Sequence, residues 1–198
     1  MRRRTFDTLV SVGGLVLAFV LIVAGALLTW SALFINNQVH DQLAAQKIFF
    51  PAASSQAIQA PEFAAMKQYA GQQLTTGDQA EVYADHFIAN HLKEVAGGKT
   101  YSEVSAAAMA DPNNAQLQGQ VATLFKGETL RGLLLNAYAF GKMGTIAGIA
   151  AVVAFVTAGV LLVLSVLGFA HARRTAPEIH HSRPGHRADG GAGPCWCR

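Results

Sequence analysis

Two long apolar runs without a charged residue constrain this chain more than any other feature. The first extends from Thr8 to Ile35 and the second from Met143 to Ala170, and neither contains Lys, Arg, Asp or Glu. An α-helix rises about 1.5 Å per residue and a bilayer core is about 30 Å thick, so roughly 20 apolar residues span it. The sequence therefore predicts two transmembrane helices, 8–35 and 143–170, in contact with the lipid bilayer.

The placement of basic residues predicts how the chain is oriented. Arginines flank the two runs on the sides that face the chain ends, at Arg2, Arg3, Arg4, Arg173 and Arg174, whereas the segment 36–142 is mildly acidic. Lys and Arg next to a span mark the cytoplasmic side of a membrane. We therefore expect a plasma membrane protein with residues 1–7 and 171–198 in the cytoplasm and residues 36–142 outside.

The basic balance of the whole chain has the same explanation. The formal net charge is +3, but no basic stripe with interleaved aromatic residues is present, so no nucleic-acid partner is predicted. A cleaved signal peptide is the alternative interpretation of the first run. Signal cores are about 7–15 residues long, and the run is longer than that, so we favour an uncleaved anchor.

The segment 36–142 has the pattern of a helical domain. Asp78 with Glu81, and Thr100 with Glu103, are spaced as capping boxes at two helix starts. Apolar residues recur at helical spacing between Ala84 and Val95, and Gly97-Gly98 then predicts a helix end. Shorter helices are expected from Pro61 toward Tyr69 and from Gln116 to Phe125, with Pro112 in the first turn of the latter. A separate helix that starts near 127–129 is expected to enter the second span.

The predicted fold class is all-α. Two transmembrane helices flank a helical extracytoplasmic domain that contains no cysteine, so no disulfide stabilises it. Residues 171–198 are rich in Pro, Gly, His and Arg without apolar periodicity, and we expect a disordered cytoplasmic tail.

Small residues recur within both predicted spans. They are Gly14, Ala18, Gly25, Gly144, Gly148, Ala150, Ala154 and Ala158. Such residues let helix backbones approach closely, so that van der Waals contacts hold helices together in lipid. We favour packing of the two spans against each other. Self-association or docking to another membrane protein is the alternative.

The sequence predicts no catalytic, cofactor-binding or metal site. His86 and His91 are five residues apart, which places them about 140° apart around a helix. His91 and Glu94 lack the spacing of a His-Glu-x-x-His metalloprotease site. The tail contains His180, His181, His186, Cys195 and Cys197, but one Cys-x-Cys pair is a weak metal signal.

Two stretches, Tyr101–Ser105 and Gly127–Tyr138, together with the two-span layout, resemble a family of small, uncharacterised actinobacterial membrane proteins. The resemblance implies a plasma membrane location. Some members of that family carry the label of aromatic ring-opening dioxygenase. That chemistry needs an iron site made of histidines and a carboxylate, and this sequence does not assemble one, so we set the label aside.

These features predict a non-enzymatic interaction module whose partner is a membrane or envelope protein, or a second copy of the chain. The helix that links domain and membrane is expected to carry an apolar face at Thr129, Leu130, Leu133, Leu134 and Tyr138. That face is expected to pack on the outer extension of the first span, so that Leu133→Asp destabilises the domain.

Two other functions remain open at this stage. The first is a ligand sensor that signals to a separate cytoplasmic effector, and an apolar cavity among the outer helices with a few polar groups would favour it. The second is an enzyme, which would need a cleft that gathers His86, His91, Glu94 or Asp85.

Overall fold

The computed structural model describes residues 3–174, and it describes the side chains of residues 6–171 and 173. This part of the chain is predominantly helical and contains no β-strand beyond one antiparallel bridge between Phe49 and Gln73. Two long helices, α1 (Arg3–Ala45) and α5 (Ala115–Arg174), pack side by side. The shorter helices lie in sequence between them and gather at one end of this pair.

The two long helices contain both apolar runs and extend well beyond them. At about 1.5 Å per residue, α1 is about 65 Å long and α5 about 90 Å. Both are long and apolar enough to cross a membrane. The prediction that α1 continues outward past Val39 and Leu43 is confirmed, although α1 ends at Ala45, before Ile48.

The prediction of a separate helix from 127–129 into the second span is wrong. One uninterrupted helix runs from Ala115 to Arg174. It begins after Asn114, whose side-chain oxygen accepts a hydrogen bond from the backbone N–H of Leu117 at 3.2 Å. Pro112 therefore lies in the preceding turn and not in the first turn of the helix. The predicted disorder of the tail is wrong for residues 171–174, which are helical, and the rest of the tail lies outside the described residues.

The predicted helix that ends before Gly97 is present as three consecutive pieces. They are α2 (Gly77–Val82), a π-helical turn (Tyr83–Ile88) and α3 (Ala89–Val95). Gly97 and Gly98 follow with φ values of 60° and 83°, which are conformations that favour glycine, so the predicted stop is confirmed.

The residue that caps α2 is Thr76, not Asp78. The Thr76 hydroxyl accepts a hydrogen bond from the N–H of Gln79 at 3.3 Å, and the Gln79 side chain accepts one from the N–H of Thr76 at 3.1 Å. Asp78 lies inside the first turn and pairs with Lys142 instead. The capping box was therefore predicted in the correct form but two residues too late.

The second capping box is confirmed. Thr100 caps α4 (Tyr101–Ala110), and the Glu103 carboxylate accepts hydrogen bonds from the Thr100 N–H at 2.7 Å and from its hydroxyl at 2.8 Å. These bonds hold the pKa of Glu103 below its ordinary value. The predicted helix at Pro61–Tyr69 is also present as a 3₁₀ helix, and a short 3₁₀ turn precedes it at Gln56–Ile58.

One hydrophobic core joins the short helices to the long pair. Val39 and Leu43 of α1 and Leu124 and Leu134 of α5 belong to the same buried cluster as the short-helix residues. The other members are Phe50, Ile58, Phe63, Met66, Leu74, Ala80, Ala84, Ile88, Leu92, Ala96 and Val104. Residues 36–142 therefore fold on the extensions of α1 and α5 and not as a detached unit.

Candidate functional site

Most of the small residues singled out in the sequence lie along the seam between α1 and α5. Ala18, Gly25, Gly144, Ala154 and Ala158 are buried, whereas Gly14, Gly148 and Ala150 are half-buried. A methyl group on Gly25 would lie 3.0 Å from the ring of Phe155, and one on Gly144 would lie 2.6 Å from the side-chain oxygen of Asn36 and 3.3 Å from Ile35. Glycine at these two positions is what allows the helices to approach this closely.

At the other end of the seam, a serine of each helix faces a glycine of the other, and the sequence analysis did not predict this contact. Ser11 of α1 faces Gly168 of α5, and Ser165 of α5 faces Gly14 of α1, so that a methyl group on either glycine would overlap the facing hydroxyl. Both serines are buried. Ser is also one of the small residues found at helix interfaces, so a pattern of small residues that includes Ser predicts this contact.

Two ion pairs connect the short helices to α5 outside the apolar runs. Arg131 donates a hydrogen bond to Asp85 of the π-helical turn at 2.9 Å, and it contacts Glu128 at 3.5 Å. The Asp85 carboxylate raises the pKa of Arg131. Lys142 pairs with Asp78 at 2.8 Å and lies 5.3 Å from the Tyr138 ring centre, and Asp78 raises the pKa of Lys142. Water and salt screen exposed pairs of this kind, so the two pairs fix how the short helices align with α5 more than they add to stability.

The histidines of the outer segment have local partners. Nδ1 of His86 donates to the Glu62 carbonyl oxygen at 3.0 Å, and Nδ1 of His91 donates to the Phe87 carbonyl oxygen at 2.7 Å. The His91 ring also lies 4.3 Å from the Phe87 ring centre. Among residues 3–174, no three His, Cys, Asp or Glu side chains are grouped so that they could hold a metal ion. The tail residues His180, His181, His186, Cys195 and Cys197 lie outside the described residues.

An apolar groove of about 510 Å³ lies between the outer parts of α1 and α5. Its floor and walls include Val39 and Leu43 from α1 and Leu130 and Leu134 from α5. This volume is within the range of about 300–1,000 Å³ that small-molecule sites occupy. The groove is therefore large enough to hold a small apolar molecule.

Polar side chains border the groove without adding charge. Gln38 and Gln42 lie one helical turn apart on α1, Gln46 directly follows the end of α1, and Asn136 lies on α5. The Gln42 amide donates to the Gln38 side-chain oxygen at 3.3 Å. Of the described residues that line the groove, none is ionisable. The groove thus offers an apolar channel with an amide border.

The predicted link-helix face is only partly directed at α1. Leu134 is 3% exposed and belongs to the core, whereas Leu133 is 61% exposed and lines the groove with Leu130. Tyr138 is half-buried beside Lys142, and Thr129 is exposed, with its hydroxyl bonded to the Phe125 carbonyl oxygen. Leu133 was expected to pack on the outer extension of the first span, but its side chain is mostly exposed, and the buried position is Leu134, one residue further along the helix.

Comparison with known proteins identifies no counterpart, since no family model, no curated protein and no solved structure matches the chain. The resemblance to the actinobacterial membrane protein family accordingly stays a prediction.

Proposed function

We propose that this protein is a two-pass membrane protein whose residues 36–142 form an extracytoplasmic helical domain that binds a membrane or envelope protein and catalyses no reaction. Both chain ends lie in the cytoplasm in this proposal. The observation that carries it is the exposure of the two apolar runs. Only 17% of the most apolar window of α1 and 22% of that of α5 are buried inside the protein.

This exposure is difficult to reconcile with an aqueous surrounding. Large side chains such as Phe19, Leu27, Val156 and Val163 are more than half exposed along the paired helices. Proteins in water rarely present contiguous apolar patches larger than a few hundred Å². A bilayer removes the cost of this surface, and the arginines beyond the two runs set the orientation.

The first helix is a permanent anchor in this proposal because its apolar run packs closely against α5. Val39 and Leu43 of α1 belong to the core cluster of the outer segment. Cleavage within the first apolar run would detach the anchor, although these two residues would remain with the domain. The tight contacts of Gly25 with Phe155 and of Gly14 with Ser165 would be lost, so α5 would have no partner in the bilayer.

An interaction role is supported by the outer surface of the domain. Ile58, Met66 and Leu74 fill its core, and the apolar groove lies beside this core and is open on one side, which favours a rigid module over a sensor with an internal ligand cavity. Met109 and Phe125 are 72% and 58% exposed on α4 and α5. Aromatic residues and Met are enriched in protein interfaces, so we assign the partner contact to the exposed surfaces of α4 and of the adjoining part of α5.

The topology is tested by thiol labelling of intact cells. In a variant without the two native cysteines, Gln59→Cys is expected to react with a membrane-impermeant maleimide, since Gln59 is exposed on the outer segment. Tags fused to either chain end are expected to become accessible to antibody after permeabilisation and not before. Labelling of a terminal tag on intact cells would contradict the orientation.

The partner contact is tested by site-specific photocrosslinking in native membranes. A photoreactive residue in place of Phe125 is expected to capture a defined membrane or envelope protein. The same residue in place of exposed Gln68 serves as the control, because it lies on a polar surface of the 3₁₀ helix. Identical background products at both positions would contradict an interface at Phe125.

A further inference from the structure

The groove between α1 and α5 has room for a hydrocarbon chain. It extends along α1 from Phe34 to the end of the helix at Ala45, which is about 16 Å of helix length. Its volume is about 510 Å³. A single extended hydrocarbon chain is an apolar occupant that fits this length and volume.

The groove is continuous with the apolar surface of the two runs. One end of the groove is formed by Phe34, at the end of the first run, and by Phe140, shortly before the second run, and these residues are 53% and 55% exposed. Trp30 and Met143 lie next along α1 and α5 in the direction of the runs and are also exposed. In the proposed topology these residues lie at the outer membrane surface, where aromatic side chains concentrate. A lipid chain can therefore enter the groove from the bilayer without crossing water.

The border of the groove selects for the head group of such a lipid. Its polar side chains are the amides of Gln38, Gln42, Gln46 and Asn136, which both donate and accept hydrogen bonds. No lysine or arginine lines the groove among the described residues, so a phosphate would find no cation to pair with. Hydroxyl groups, which also donate and accept, match this border.

We propose that the groove between α1 and α5 binds one hydrocarbon chain of a lipid whose uncharged, hydroxyl-rich head group is held by the glutamines of α1. This inference rests on the membrane placement proposed above, and it adds a ligand to the proposed domain. The bound hydrocarbon chain covers Leu130 and Leu133, which lie next to the core residue Leu134. The lipid therefore also stabilises the part of α5 that connects the domain to the membrane.

The test uses the full chain in phosphatidylcholine nanodiscs with one of two photoreactive lipids. The first is a glucosyl diacylglycerol and the second a phosphatidylglycerol, and both carry the same diazirine-bearing acyl chain. The glucosyl lipid is expected to label peptides with residues 34–48 and 130–140 several-fold more than the phosphatidylglycerol does. Both lipids are expected to label the apolar runs equally.

Variants locate the label within the groove. Leu133→Trp fills the groove and is expected to reduce labelling there several-fold, whereas Ile146→Trp, a control on an exposed apolar site of the same helix, leaves it unchanged. Gln42→Leu is expected to reduce labelling by the glucosyl lipid to the level of the phosphatidylglycerol. A photoreactive residue in place of Leu133 is expected to capture lipid in native membranes. Capture of a protein instead would overturn the proposal.

Three results with the unmodified chain would also overturn it. These are equal groove labelling by the two lipids, labelling that Leu133→Trp leaves unchanged, and absence of label in the groove while the apolar runs are labelled. Absence of label in the apolar runs themselves would instead remove the membrane placement, so the two failures are distinguishable.

Discussion

Leu134→Asp is expected to lower the free energy of unfolding of the outer domain by about 4 kcal/mol or more. Removing a buried leucine side chain costs about 2–5 kcal/mol, and an unpaired carboxylate in its place adds a desolvation penalty. Leu134 is 3% exposed and contributes to the core that α5 shares with the short helices. Pulse proteolysis of the full chain in detergent across a urea gradient measures the change.

The matched control is the neighbouring leucine. Leu133 is 61% exposed, so Leu133→Asp is expected to change the same free energy by about 0.5 kcal/mol or less. Leu134→Met keeps the volume and is expected to cost less than about 1.5 kcal/mol. If Leu133→Asp destabilises the domain as strongly as Leu134→Asp, the rotation of α5 described above is incorrect.

The contrast between these two leucines shows what periodicity can and cannot predict. The spacing of Leu130, Leu133, Leu134 and Tyr138 correctly predicts a helix with an apolar side. Adjacent helix positions differ by about 100° in direction, so the pattern alone leaves open which leucine faces the core. The choice depends on how α5 rotates against α1, and that is set by contacts between residues far apart in sequence.

Helix starts and ends were predicted correctly where the local sequence offered one possible cap or stop. The Thr100 and Glu103 pair and the Gly97-Gly98 stop were predicted from neighbours alone and are present in the structure. At the start of α2 two cap residues compete, because Thr76 precedes Gln79 by three residues and Asp78 precedes Glu81 by three. The ion pair of Asp78 with Lys142 favours the earlier start, and this contact is not visible in the local sequence.

The glycine at position 127 led to a wrong helix boundary in the sequence analysis. Gly127 was interpreted as a boundary between two helices, yet it lies inside α5. A methyl group there would overlap the side chain of Leu92, so the glycine serves close packing of α3 on α5. The apolar groove could not be predicted from the sequence either, since its two walls come from helices at opposite ends of the domain.

A second glycine that allows close packing on α5 is Gly77, at the start of α2. A methyl group on Gly77 would lie 3.1 Å from the carbonyl oxygen of Ala137 and 3.1 Å from Cα of Tyr138. Both are backbone atoms of α5, which cannot rotate away as a side chain can. Gly77 therefore allows α2 to approach α5 closely enough for Asp78 to reach Lys142.

Gly77→Val is accordingly expected to lower the free energy of unfolding by about 3 kcal/mol, within the range for overpacked sites. Gly132→Ala on α5 is the control, because a methyl group there meets no neighbour, and removing a helical glycine stabilises by up to about 1 kcal/mol. Pulse proteolysis again provides the measurement.

The same substitution is expected to remove the contact between Asp78 and Lys142, because the valine displaces α2 from α5. Lys142→Ala is therefore expected to lower the free energy of unfolding less in the Gly77→Val background than in the unmodified chain. Additive effects of the two substitutions would show that α2 reaches α5 without the close approach at Gly77.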